Sequence, residues 1–129
     1  MPVVIQLSIF LENKPGVLAR LCKSFSDQKI NILALSVSDT VDHAVVRVVT
    51  NDPGKASHML ESTGVLVVET EVLALNLPDA PGQLATLATK LSKAKVNIEY
   101  AYGSTQSAGG TLILRVSDIK KAQKVLKLK

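Results

Sequence analysis

Cysteine and aromatic residues are almost missing from this chain: one Cys, two Phe, two Tyr and no Trp among 129 residues. A lone thiol, Cys22, leaves no internal disulfide and no cysteine cluster for zinc, the usage of a reducing, cytoplasmic compartment. With aromatics at 3%, there is little for bases to stack on, so nucleic acid is not an expected partner. No apolar stretch reaches the ~18 residues of a membrane span. The opening run Pro2 to Leu11 has no basic region before it and is broken by Gln6 and Ser8, so it reads as a strand and not a signal peptide.

Groupings that carry chemistry are also lacking. His43 and His58 have no metal-ligand spacing around them. Cys22 sits on an apolar helical stripe, where a core role fits better than a nucleophile's. Ser104 to Gly110 is rich in Gly and Ser but joins two strands and has no Lys-Ser/Thr ending, so it reads as a mobile hairpin loop rather than a phosphate cradle. No catalytic residue, metal or cofactor is expected, and the chain is not read as an enzyme.

What is present is a folding composition. Apolar residues at 47% and charged ones at 20% of a 13.8 kDa chain suit one ordinary domain or two very small ones. The net charge is +4, and Lys120, Lys121, Lys124, Lys127 and Lys129 crowd the last helix, which reads as a solvated face.

The chain also repeats itself. Pro15-Gly16 recurs as Pro81-Gly82, an offset of 66 residues, and at that offset residues 13 to 32 share nine identities in 20 with residues 79 to 98. The register persists to Asp52, Lys55, Ala56 and Leu60, which meet Asp118, Lys121, Ala122 and Leu126. Two homologous modules follow, placed at 1–69 and 70–129.

Within the first module, Val3, Ile5, Leu7, Ile9 and Leu11 alternate as a strand does, and Val17, Leu18, Leu21, Cys22 and Phe25 form a helical stripe after Pro15. Ile32 to Ser38 and Ala44 to Thr50 read as strands, Asp52-Pro53 opens a second helix ended near Gly64, and Val65 to Val68 is a short strand. This β-α-β-β-α-β order is the ferredoxin-like arrangement of an α+β fold. The second module repeats it from Glu71 to Leu128, except that the counterpart of Val65 would be residue 131, so the second module lacks its last strand. That loss exposes one side of Val72 to Asn76, an uncharged run without Pro, and predicts either a cover from the sister module or a homodimer, the favoured reading.

The two repeated loops that leave a strand and enter a helix are the candidate ligand sites. The first backbone N–H groups of a helix have no internal acceptors, so a carboxylate gains hydrogen bonds and a favourable dipole there. Gly16 and Gly82 allow close approach, and Asn13 and Asp79 offer oxygens to an ammonium group. Together these suit the two ends of a free amino acid. A plain turn accounts for the same residues, since Pro-Gly suits a helix start and Asn or Asp can bond its own loop.

Asn13-Lys14-Pro15-Gly16-Val17-Leu18 with Asn31-Ile32, and Asp79-Ala80-Pro81-Gly82-Gln83-Leu84 with Asn97-Ile98, resemble the ACT domain, a ferredoxin-like module of amino-acid-responsive regulation. The resemblance covers nearly the whole chain and implies a stand-alone tandem ACT protein. It also implies ligands at the interface between modules or subunits, held by the strand-to-helix loop of one and the second strand of the other. That assigns Asn13, Gly16, Val17, Leu18 and Asn31, and in the second copy Asp79, Gly82, Gln83, Leu84 and Asn97. Glu12 to Leu18 is most similar to the serine-sensing module of phosphoglycerate dehydrogenase, which has a histidine where this chain has Leu11; the loss of that donor leaves the amino acid open.

Two readings of function stand at this point. One is a non-enzymatic regulatory protein that binds a free L-amino acid and acts on a separate enzyme partner. The other is a structural protein–protein interaction module with degenerate ligand sites. An RNA-binding reading of the same topology fails on its residues: Ile5 to Ile9 and Val45 to Val49 carry no aromatic pair, and Tyr100 with Tyr102 lies on another strand as packing or pocket lining.

Overall fold

The computed structural model of the chain describes residues 3–39, 43–77, 81–104 and 110–127. By contacts these fall into two compact units, Ile5–Thr70 and Met1–Val4 together with Glu71–Lys129. Among the described residues there are six strands and four helices: β1 (Val3–Glu12), α1 (Val17–Asp27), β2 (Ile32–Asp39), β3 (His43–Thr50), α2 (Pro53–Ser62), β4 (Leu66–Leu77), α3 (Gln83–Lys93), β5 (Ile98–Ser104), β6 (Gly110–Val116) and α4 (Ile119–Val125). No helix among them is long and apolar enough to cross a membrane.

The unit Ile5–Thr70 has the strand order β2-β3-β1-β4. Alternation in β1 and β3 puts Leu7 opposite Val48 and Ile9 opposite Val46 on one face, where all four are buried under α1 and α2. Leu21 and Phe25 supply the buried stripe of α1, and Ala56 and Leu60 that of α2. The stripe of α1 is narrower than its sequence suggests: Leu18 is exposed and Cys22 half-buried. Asp52 starts α2 by accepting the N–H of Lys55 at 3.1 Å, an N-cap worth about 1 kcal/mol. At the other end of that helix, the Val65 N–H returns to the Leu60 carbonyl at 3.3 Å.

The second unit is built on the same plan at the 66-residue offset. Leu7, Ile9, Leu21, Phe25, Val48, Ala56 and Leu60 correspond to Leu73, Leu75, Leu87, Leu91, Leu114, Ala122 and Leu126, which form or flank the second core. Strand register is kept as well, with Leu73 opposite Leu114 and Leu75 opposite Leu112. Asp118 caps α4 as Asp52 caps α2, accepting from the Lys121 N–H at 3.0 Å.

Two features differ from expectation. The short strand Val65 to Val68 and the strand beginning at Glu71 are one continuous strand, β4, because Glu69-Thr70 contains no residue that breaks extended backbone. Pro15 and Pro81 lie in the turn before each helix rather than in its first turn. The last element among the described residues is α4. The place beside β4 in the second unit is taken by the start of β1, and Val3 packs against the second core as Val65 and Val67 pack against the first. Val72 and Leu73 are fully buried, and the start of β1 lies beside the strand whose edge was foreseen as bare along Val72 to Asn76.

Val3→Glu should therefore destabilise the protein by about 1–3 kcal/mol, because a carboxylate would stand against an apolar core. A lower urea midpoint together with faster amide exchange in residues 72–75 is the expected result, and an unchanged midpoint would contradict this placement of β1.

Candidate functional site

The first strand-to-helix junction reverses the chain within four residues, Asn13 to Gly16. Lys14 donates its N–H to the Glu12 carbonyl at 3.1 Å, and Val17 donates to the Lys14 carbonyl at 3.4 Å. Gly16 takes the left-handed region, φ 86°, and its carbonyl accepts the Arg20 N–H at 3.0 Å. No side chain caps the helix at Gly16. The glycine is thus needed for its backbone angle, and having no side chain it does not itself cap α1.

Around this loop the charges are close together. The Lys14 ammonium lies 2.7 Å from the Glu12 carboxylate, with both side chains exposed. The Glu12 carboxyl is held below its ordinary value, first by the hydrogen bond and charge of Lys14 and then, more weakly, by His43 and Arg20. His43 stands directly opposite Glu12 in the β1–β3 register. The Arg20 side chain turns back toward the loop, its Nη1 3.9 Å from where a Cβ on Gly16 would lie.

Beside the loop an open cleft of about 830 Å³ runs between α1 and α2 within the first unit. Val17, Arg20, Leu21 and Ser24, spaced as one face of a helix, form one wall. Met59, Leu60, Thr63 and Gly64 from the end of α2 form the other, and the ends of β1, β3 and β4 supply Phe10, Leu11, Glu12, His43, Val65 and Leu66.

Of the five residues expected in the first copy, the structure brings only Val17 to this cleft. Asn13 and Gly16 lie in the adjoining loop, and Leu18 is exposed on the first turn of α1. Asn31 follows the far end of α1, whose 11 residues span roughly 16 Å, so it does not meet the loop of its own unit. Its backbone N–H is donated to Asn51 Oδ1 at 2.9 Å and its carbonyl accepts the Asn51 N–H at 3.2 Å.

The second copy is similar in backbone and different in surroundings. Gly82 also has φ 86° and no capping side chain, Gln83 is half-buried and Leu84 exposed. Asn97 repeats the bonds of Asn31 with Ser117 at 2.9 Å. It lines a shallow depression of about 420 Å³ with Ala88, Ser92, Lys95, Val96 and Ile98, away from Gly82 and Gln83. Asp79 lies outside the described residues, as do residues 105–109 of the Ser104 to Gly110 loop. Tyr100 and Tyr102 are half-buried on β5. Among the described residues no group of His, Cys, Asp or Glu side chains is placed to hold a metal ion.

Glu12, Arg20 and His43 were not singled out as site residues by their sequence positions. A signal for them exists in the repeat itself: at the same offset the second copy has Pro78, Thr86 and Gly109.

A family model described as an ACT domain pair matches residues 2–129. Among solved structures, protein BT0572 from Bacteroides thetaiotaomicron is 35% identical with a TM-score of 0.93, covering 97% of this chain and 87% of that one. The ligand-free regulatory subunit of aspartate kinase from Thermus thermophilus is 12% identical with a TM-score of 0.71, covering 98% of this chain and 96% of its own. That of Thermus flavus is 16% identical with a TM-score of 0.63, over 98% and 94% of the two chains. The last two likenesses concern the fold alone. No curated protein matches the sequence.

Gly16→Ala should cost about 1–2 kcal/mol of stability through the left-handed angle alone, since its Cβ would have room. Chemical denaturation measures it, and an unchanged midpoint would mean that the loop does not need this backbone angle.

Proposed function

The chain belongs to the ACT domain pair family, a regulatory module type, and on that basis we propose that it is a non-enzymatic protein of a reducing, cytoplasmic compartment that binds a free L-amino acid. The observation that supports the reading is the left-handed Gly16, which starts α1 with no side chain of its own over the helix N-terminus, where a carboxylate would meet a favourable dipole. Asn13, Gly16, Val17 and Leu18 are the residues assigned to the ligand from this side, with Asp79, Gly82, Gln83 and Leu84 as the second copy. Asn31 and Asn97, remote from the loops of their own units, are assigned to a loop of a second subunit.

A homodimer belongs to the same proposal, though the missing strand no longer argues for it. Its support is β2, the end strand of its unit, where Leu33, Leu35 and Val37 are 59%, 42% and 48% exposed. Leu35 and Val37 lie opposite the buried Val48 and Val46, so they extend the helix-side face beyond the reach of α1. An apolar edge strand whose one charge is the terminal Asp39, and whose register irregularity is confined to Ile32–Ala34, has little of the usual protection against pairing. The same edge favours the second reading, an interaction module that engages a partner protein without ligand. In the ligand-binding reading the information passes to a separate enzyme partner.

Thermal unfolding with free amino acids distinguishes the two. At about 100 times the dissociation constant, an L-amino acid contributes about 2.7 kcal/mol, which raises the midpoint by roughly 5 to 16 °C. The D-enantiomer should leave it unmoved. No shift with any common L-amino acid at millimolar concentration would leave the interaction module as the better account. Light scattering after size exclusion should give twice the 13.8 kDa chain mass at tens of micromolar, and Val37→Lys should return it to one chain; a wild-type mass of one chain would remove the dimer.

A further inference from the structure

We infer that the amino acid bound by this protein has an apolar side chain, which enters the α1–α2 cleft of the first unit while Arg20 takes its carboxylate and Glu12 its ammonium group. The inference rests on the amino-acid reading and adds a ligand class and a choice between the two copies.

Three observations carry it. The first is the lining of the cleft. Its apolar part comes from Leu11, Val17, Leu21, Met59, Leu60 and Val65, with Leu21 and Leu60 themselves in the core. Its ionisable side chains, Glu12, Arg20 and His43, come from the ends of β1 and β3 and the first turn of α1. A molecule that is charged at one end and apolar at the other matches this distribution, and an acidic or basic side chain in the apolar part would lose its hydration without a partner.

The second is the placement of charge. The Arg20 guanidinium turns toward Gly16, at the N-terminal end of α1. A carboxylate there meets a planar cation that can bind both of its oxygens. Glu12 stands at the same end of the cleft, its charge already compensated by Lys14 at 2.7 Å. That compensation is exposed and exchangeable, so an incoming ammonium can take the place of Lys14 with little loss.

The third is the difference between the repeats. The fold, the left-handed glycine and the core positions are kept at the offset of 66 residues, whereas Glu12, Arg20 and His43 become Pro78, Thr86 and Gly109, and Val17 becomes Gln83. The second copy therefore keeps the framework without counterparts of Glu12 and Arg20, its one loop carboxylate being Asp79 in place of Asn13, and the apolar ligand is placed in the first copy.

Isothermal titration of the full chain tests this with L-leucine, L-methionine and L-phenylalanine against L-serine, L-aspartate and L-lysine. The apolar set should bind and the polar set should not. Arg20→Gln should weaken binding by roughly 10- to 150-fold, the loss of a hydrogen bond to a charged group. Arg20→Lys should recover part of it, while Thr86→Ala, at the matching place in the second copy, should leave it unchanged. Met59→Trp should block the apolar ligands by filling the cleft, with Met59→Leu as the volume-conserving control. Binding of serine, aspartate or lysine at least as tight as that of leucine, or full affinity in Arg20→Gln, would overturn the cleft and leave the amino-acid reading in place. Absence of binding by all six, and by every other common L-amino acid, would overturn that reading itself.

Discussion

The burial of one face of β1 and β3 under two helices is the constraint from which the rest of each unit follows. Leu7, Ile9, Val46 and Val48 have to be covered, so the chain leaving β1 must return over that same face as α1. The reversal is made between Glu12 and Val17, and a turn so short needs a backbone angle that L side chains resist, supplied by Gly16. A glycine in that place cannot cap the helix it starts. A helix start without a capping residue of its own is thus a by-product of packing the core, and a ligand site needs further groups that packing does not supply.

Much of this fold was legible in the sequence because it is written in local patterns. Alternation marks β1 and β3, the spacing of Leu21 and Phe25 marks α1, and Asp52 and Asp118 mark the helix starts they cap. The 66-residue offset carries the same elements into the second unit. The continuity of β4 was harder to see, since Glu69-Thr70 looks like a polar connection and only the surrounding sheet makes it strand. The role of Val3 could not be read at all. Which strand fills an open place beside β4 is decided by backbone hydrogen bonding and by the shape of a core assembled from distant residues, and Val3 carries no local mark of it.

The candidate site divides in the same way. Gly16 and Gly82 were legible from Pro-Gly before a helical stripe, and both take a left-handed angle at the helix start. Asn31 was associated with the loop only through family resemblance, and α1 separates the two within one unit. The cleft itself has walls from two helices and the ends of three strands, a combination that no linear pattern announces. Its charged residues had a signal of another kind, the positions at which two otherwise parallel repeats part company.

That difference separates what folding requires from what a ligand requires. Several positions the repeats share have structural reasons: Gly16 and Gly82 for their φ, Asp52 and Asp118 for capping. Their retention would follow even in a module that binds nothing. The charges outside the cores have meanwhile diverged, with six basic and seven acidic residues in 5–70 giving −1, and nine basic and four acidic residues in 71–129 giving +5. Exposed substitutions of this kind change stability by only about 0.5 kcal/mol each, so the fold places almost no restraint on them. A charge that packing does not fix is free to serve recognition, and Glu12 and Arg20, exposed at the mouth of a cleft in one repeat and missing from the other, are charges of that kind.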